Sequence, residues 1–281
     1  MMKILLTTDF SEASNHAIDY IVQLAGSWCD EQVSFVLVHS FTSLVPYQET
    51  SMMADAQPPS MPVIENKELQ DQLEQKLEEQ VNSLRNHINV AKHYFEIGSL
   101  AEVIEDLVEK ESPDLIVMGT REKSAFERMT IGTNTLEVVT KTEVPVLAVP
   151  REASLEPVSR MSFALDLERE GSKQVSFLER WIKLNDCQLE VLTVSDEDTE
   201  SAIEQRMKTS KFHQQLSTID HDHLVVINED IYEGITTYTN DQKPDMLGLI
   251  PGDRSFLDRV FHKNKTEKIT YHLKIPVLLI K

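Results

Sequence analysis

The chain has 281 residues, 41% of them apolar, enough to fill one large core or two of ordinary size. Its 47 acidic against 27 basic residues leave a formal charge of −20, a field that repels DNA and anionic lipid and excludes a general nucleic-acid or membrane-surface role. Cys29 and Cys187 lie far apart without metal-ligand spacing and read as reduced thiols; Asp9 comes too early for a signal peptide and no apolar run approaches about 18 residues, so the expected location is the cytoplasm.

In chain order, Lys3–Thr7 predicts a strand and Ser11 an N-cap for a helix through Ala25. Val33–His39 predicts a second strand. The proline- and methionine-rich stretch 45–63 follows, readable as a lid, a partner-docking loop or a disordered loop. Leu69, Leu73, Leu77, Val81, Leu84 and Ile88 then recur at three- and four-residue steps, the period of a long amphipathic helix with its charge facing water. His93–Ile97 predicts a strand, Ala101–Lys110 a helix, Leu115–Met118 a strand, Thr133–Thr140 a helix and Val146–Val149 a strand. Nearly all-apolar strands flanked by helices indicate a doubly wound parallel sheet. Ligands in such sheets bind beyond the carboxyl ends of the strands, where strand order reverses. Asp9 and Gly119 both lie at that edge.

The chain is written twice. "SPDLIVMGTREKSAFERMTIGTNTLEVVTKTEVPVLAV" (112–149) lies without a gap on "KPDMLGLIPGDRSFLDRVFHKNKTEKITYHLKIPVLLI" (243–280). The constant shift of 131 residues puts Pro113-Asp114 on Pro244-Asp245 and Val144–Leu147 on Ile275–Leu278. Near the amino end of each half, "ILLTTDFSEASNHAIDYIVQLA" is similar to "MSFALDLEREGSKQVSFLERWI", with Asp9 on Asp166 at a shift of 157, which leaves the first half 26 residues longer, with 45–63 as the obvious place. A repeat of this length is domain-sized, so the expectation is a duplication into units 1–150 and 156–281 with a boundary near 150–159. Both halves end in an apolar strand. Pairing those strands with each other would remove two exposed edges at once and make an intrachain pseudo-dimer.

The chain holds only 8 glycines, yet "GTREKSAFERMTIGT" (119–133) opens and closes on Gly-Thr. A glycine straight after a strand lets backbone approach a phosphate, and Gly132-Thr133 at a helix start would offer free amides, a hydroxyl and the positive end of the helix dipole. The plainer reading is that Gly119 makes a turn and Thr133 caps a helix.

"LLTTDFSEAS", "IGSLAEVI", "DLIVMGTREKSAFERMTIGT" and a terminal "VPVLAV" together resemble the universal stress protein family in its tandem two-domain form. The resemblance is strong over 1–150 and weaker over 156–281. It implies two Rossmann-like domains of the adenine-nucleotide alpha-hydrolase-like type, and a stress-response protein whose first domain binds ATP or AMP as sensor or adaptor. The family loop runs glycine, two residues, glycine, nine residues, then glycine and serine or threonine. Gly119 and Gly132-Thr133 match it; Glu122 stands at the second glycine and brings bulk and like charge to the phosphate side. By this resemblance Thr8 and Asp9 face ribose and base, and Ser40 lies beside the adenine. Met118, Gly119, Arg121, Gly132, Thr133, Asn134 and Thr135 line the phosphates and the floor. The second half lacks the loop: Gly119 falls on Ile250, Gly132 on Lys263 and Thr133 on Asn264, with Gly252 out of register.

Two other features carry less. "DHDH" (220–223) puts His221 and His223 on one face of an extended segment, with His213 upstream; exposed strand-edge polars are a simpler account than zinc, and no metal is predicted. No Walker loop, nucleophile elbow or catalytic residue set is present, so catalysis ranks last. A pure interaction module with both pockets vestigial, an unidentified protein partner and a possible homodimer are the remaining readings.

Overall fold

The computed structural model describes residues 1–28, 33–42, 67–120, 133–165, 172–195, 210–216, 219–251 and 274–281. The first half runs β1 (Met2–Thr7), α1 (Glu12–Gly26), β2 (Val33–Phe41), α2 (Lys67–Leu84), β3 (Val90–Ile97), α3 (Leu100–Glu111), β4 (Leu115–Thr120), α4 (Thr133–Lys141) and β5 (Val146–Pro150). The second runs β6 (Arg160–Ala164), α5 (Ser172–Asn185), β7 (Gln188–Ser195), α6 (Lys211–Leu216), β8 (His221–Ile227), α7 (Ile231–Gln242), β9 (Met246–Leu249) and β10 (Val277–Leu279). The strand and helix pattern read from hydrophobic periodicity is present throughout the first half. Ser11 caps α1 as expected, its hydroxyl accepting from the Ser14 amide. Several boundaries differ, with β2 running on to Phe41 and β4 to Thr120. The third strand starts at Val90, and α2 ends at Leu84, leaving Ile88 in the following turn. Of α2's apolar stripe only Leu77 and Val81 are fully buried, and Leu69 is exposed.

The described strands form a single sheet in the order β3-β2-β1-β4-β5-β10-β9-β6-β7-β8. Every neighbouring pair is parallel except β5 and β10, which run antiparallel with Val277 opposite Ala148, Leu278 opposite Leu147 and Leu279 opposite Val146. The two terminal strands therefore close on each other, which leaves β3 and β8 as the sheet edges. Alternation along each strand feeds two cores. Ile4 and Leu6 belong to the core that α1, α2, α5 and α6 cover, whereas Leu5 belongs to the one covered by α3, α4 and α7. Both cores run through the seam. Trp28 meets Trp181 edge-on at 5.9 Å, its indole N–H donates to Asn185 at 3.2 Å, and Arg180 pairs with Asp114 at 3.2 Å. The connecting segment is packed too, with Ala153 and Val158 buried.

The repeated Pro-Asp dipeptide has a structural explanation. α3 ends on Ser112 (φ 48°) and α7 on Lys243 (φ 49°), left-handed residues whose amides close the last helical turn on Val108 and Thr239. After each buried proline the aspartate clamps the start of the neighbouring strand. Asp114 accepts from the Lys3 amide at 2.7 Å, and Asp245 accepts from the Ser159 and Arg160 amides at 2.9 Å each. The cation on that strand also matches, since Lys3 donates to the Glu111 carbonyl and Arg160 to the Gln242 carbonyl.

Candidate functional site

Strand order reverses between β1 and β4, whose crossovers leave from opposite faces, so their carboxyl ends flank a crevice. Asp9 leaves β1 exposed, and its carboxylate accepts from the Ser11 amide at 2.9 Å, which sets up the entry to α1. Between them Phe10 holds a φ of 61°, a conformation that costs a bulky residue on the order of 1–3 kcal/mol and persists only where its surroundings impose it. Ser40 sits half-buried at the end of β2, and exposed Asn134 and buried Thr135 lie in the first turn of α4 behind Thr133. Arg121, Glu122 and Gly132 lie outside the described residues.

Three predicted contacts have other work in the fold. Thr8 is buried; its hydroxyl donates to Gln80 at 3.0 Å and accepts from the Phe10 amide at 3.1 Å. Met118 is 2% exposed and packs in the core, which leaves only its main chain for a ligand. Gly119 makes no turn. It pairs with Val149 inside β4, and a Cβ there would stand 2.4 Å from the carbonyl oxygen of Ala13. Glycine at 119 is thus required by the close approach of α1's first turn, whatever approaches from outside.

The structure also brings in residues that periodicity did not single out. His39, on β2 beside Ser40, is 6% exposed and donates from Nδ1 to the Thr8 carbonyl at 2.8 Å. Its ring lies 4.5 Å from that of Phe10 and 5.5 Å from that of Phe95. Burial holds its pKa below the ordinary histidine value, with the Lys76 ammonium adding to the effect; the Thr8 carbonyl and the Asp9 carboxylate oppose it. Lys76 reaches over Phe10 at 4.8 Å, and Gln80 continues from Thr8 to Asn15 at 2.8 Å, so α2 braces the floor of the site. A polar pair closing the apolar run "FVLVHS" was the available signal.

At the corresponding edge of the second half, Leu165 stands for Thr8 and Ile250 for Gly119, both buried in the core. The main-chain scaffold is retained, since the Leu165 amide donates to Leu192 at 2.9 Å just as Thr8 donates to Val38. Asp166 and 252–273 lie outside the described residues. His223 bonds Thr193 at 3.0 Å, and His221 bonds the Ile219 carbonyl at 2.7 Å beside a cleft of about 330 Å³. Among the described residues no three His, Cys, Asp or Glu side chains gather as a metal site, and no helix is long and apolar enough to cross a membrane.

Solved structures share this architecture along its whole length. A universal stress protein from Archaeoglobus fulgidus superposes with a TM-score of 0.66 at 17% identity, covering 99% of this chain and 98% of its own. A putative universal stress protein from Pseudomonas aeruginosa gives 0.56 at 11% identity, covering 100% and 93%. At these identities the likeness is one of fold. Among curated proteins none matches. The sequence model of the universal stress protein family matches residues 1–150, more than half the chain. With β1 to β5, the strand reversal and the tandem architecture in place, the chain belongs to the universal stress protein family.

Proposed function

We propose that this stress-response protein binds one adenine nucleotide, ATP or AMP, at the carboxyl edge of β1 and β4 in its first half, and acts as a nucleotide-dependent sensor or adaptor. The observation that carries the reading is the difference between the two equivalent edges. The first keeps an exposed Asp9, a half-buried Ser40 and a helix start at Thr133-Asn134. At the second, the described residues put Leu165 where the first has the Thr8 hydroxyl and Ile250 where it has Gly119, both packed in the core. Adenine and ribose would fall near Asp9 and Ser40. The phosphates would fall toward 119–135, where main-chain amides rather than net charge must hold them, given the chain's −20. Calorimetric titration of the whole chain with ATP and AMP tests this. One site per chain, weakened by Asp9→Ala and removed by Gly132→Val, is the expected result. No heat with either nucleotide would sink it.

A second reading, an interaction module with vestigial pockets, has its own support. Thr8 and Gly119 are fully explained by contacts inside the protein, and Glu122 replaces the second glycine of the family loop. Failure of the titration would favour this reading.

A further inference from the structure

The Thr8–Phe10 turn is held in a strained conformation, and one side chain outside it supplies a specific restraint. A carbonyl has no proton to give, so the 2.8 Å contact between His39 Nδ1 and the Thr8 oxygen makes Nδ1 the donor and fixes the neutral tautomer. The other nitrogen, Nε2, is then a lone-pair acceptor; it is buried and has no hydrogen-bond partner among the described residues. We propose that His39 is the positioning residue of the nucleotide site and makes it acid-labile: the neutral ring holds the Thr8 carbonyl and thereby the Asp9–Phe10 turn, and a protonated ring releases it.

The enclosure decides what a proton does. Protonation turns Nε2 into a buried donor with nothing to accept from it, and it places a positive charge in a niche walled by Phe10 and Phe95. Among the described residues two charged groups face the ring, Asp9 from the turn and Lys76 from α2; β3 contributes Phe95. Asp9 and Lys76 are both exposed, so water weakens the attraction of the one and the repulsion of the other, and burial of the ring decides against the charge. The direct way to relieve the misfit is for the ring to leave, which frees the Thr8 carbonyl and lets Phe10 relax from its φ of 61°. Asp9, whose geometry depends on that turn, loses its place. The sign follows from the depressed pKa. An unfolded or released histidine takes its proton near 6.5, before the enclosed one, so the restraint is complete above that pH and is lost as pH falls below it.

The inference rests on the nucleotide-site reading for its consequence but not for its test. Nitrogen NMR of the full chain reads the His39 ring directly, and amide exchange at Phe10 and Ser11, expressed as protection factors, reads the turn. Between pH 7.5 and 5.5 protection at both amides is expected to fall several-fold, up to about the tenfold ceiling for one ring that takes its proton near 6.5 when released, in step with protonation of His39. ATP or AMP affinity should fall by a similar factor. His39→Asn keeps a donor toward Thr8 without a titrating ring, and should hold both readouts flat over that range. A neutral His39 with the opposite tautomer, protection that does not follow its titration, or an asparagine variant with the wild-type pH profile would each overturn the proposal. Should His39→Asn not fold, the coincidence of the two wild-type curves decides. Should no nucleotide bind at pH 7.5, the functional reading fails while the exchange arm still judges the role of His39.

Discussion

The two halves share a skeleton and differ in what they place on it. Both close the last helix before the reversal with a left-handed residue, follow it with Pro-Asp, and clamp the first strand of the half by the aspartate. These contacts are main chain to carboxylate and survive wide changes in side chains. At the opposite, carboxyl edge the halves part: the first has the Thr8 hydroxyl, bonded to Gln80 and the Phe10 amide, and Gly119 against Ala13, and the second has Leu165 and Ile250. Among the described residues the first half carries at this edge a strained phenylalanine, Phe10, whose φ of 61° costs on the order of 1–3 kcal/mol.

The largest test bears on what joins the halves. Leu278 is fully buried opposite Leu147 in the antiparallel seam. Leu278→Asp should cost roughly 4 kcal/mol or more and unfold the chain as a whole, because both cores cross this line. Trp28 and Trp181, the chain's two tryptophans, meet beside it, so their fluorescence follows the seam. A first half that keeps its structure while the second melts would show that the seam is dispensable.

A smaller effect separates Gly119 from its counterpart. Gly119→Val forces carbon into the Ala13 carbonyl and should cost roughly 3 kcal/mol in urea unfolding, while Ile250→Val, a lost methylene in a core, should cost about 1 kcal/mol. Equal losses would mean that α1 shifts freely and that packing does not explain the glycine.

At the amino edge the contrast is electrostatic. Glu111 is 3% exposed and accepts from Lys92 at 2.6 Å, from Tyr94 and from Lys3, and these, the Lys92 ammonium first, hold its carboxyl down to about 2. Its contribution is therefore complete above the ordinary value of 4.5 and is lost as pH falls from there toward 2. The second half has Gln242 at this place, so acid should loosen the first half through this contact and not the second. Glu111→Gln should remove about 1–2 kcal/mol at pH 7 and flatten the acid limb; an unchanged limb would show that the network is incidental.

The finest distinction lies within the proposed site. Replacing Glu122 with glycine removes charge and bulk from the phosphate side only, so ATP should gain several-fold over AMP, on the order of 1 kcal/mol. The stoichiometry should remain one per chain. Two sites would erase the functional contrast between the halves.

Much of this was legible in the sequence, because it depends on near neighbours. Short apolar runs and period-3.6 patterns placed the elements of the first half, Ser11 announced a helix start, and the gapless repeat announced the duplication. The β5–β10 seam followed from the need to cover two apolar terminal strands. Only the tertiary structure decided which of the site residues serve the fold. Thr8 is occupied by Gln80, 72 positions away, and Gly119 is required by Ala13, contacts that no local pattern encodes. His39 reads in sequence as one more strand residue; its tautomer, its enclosure and its idle nitrogen arise where β1, β2, β3 and α2 converge. Periodicity records which face of an element is dry. What a polar group on that face touches is set by chain crossings, and those exist only once the sheet has formed.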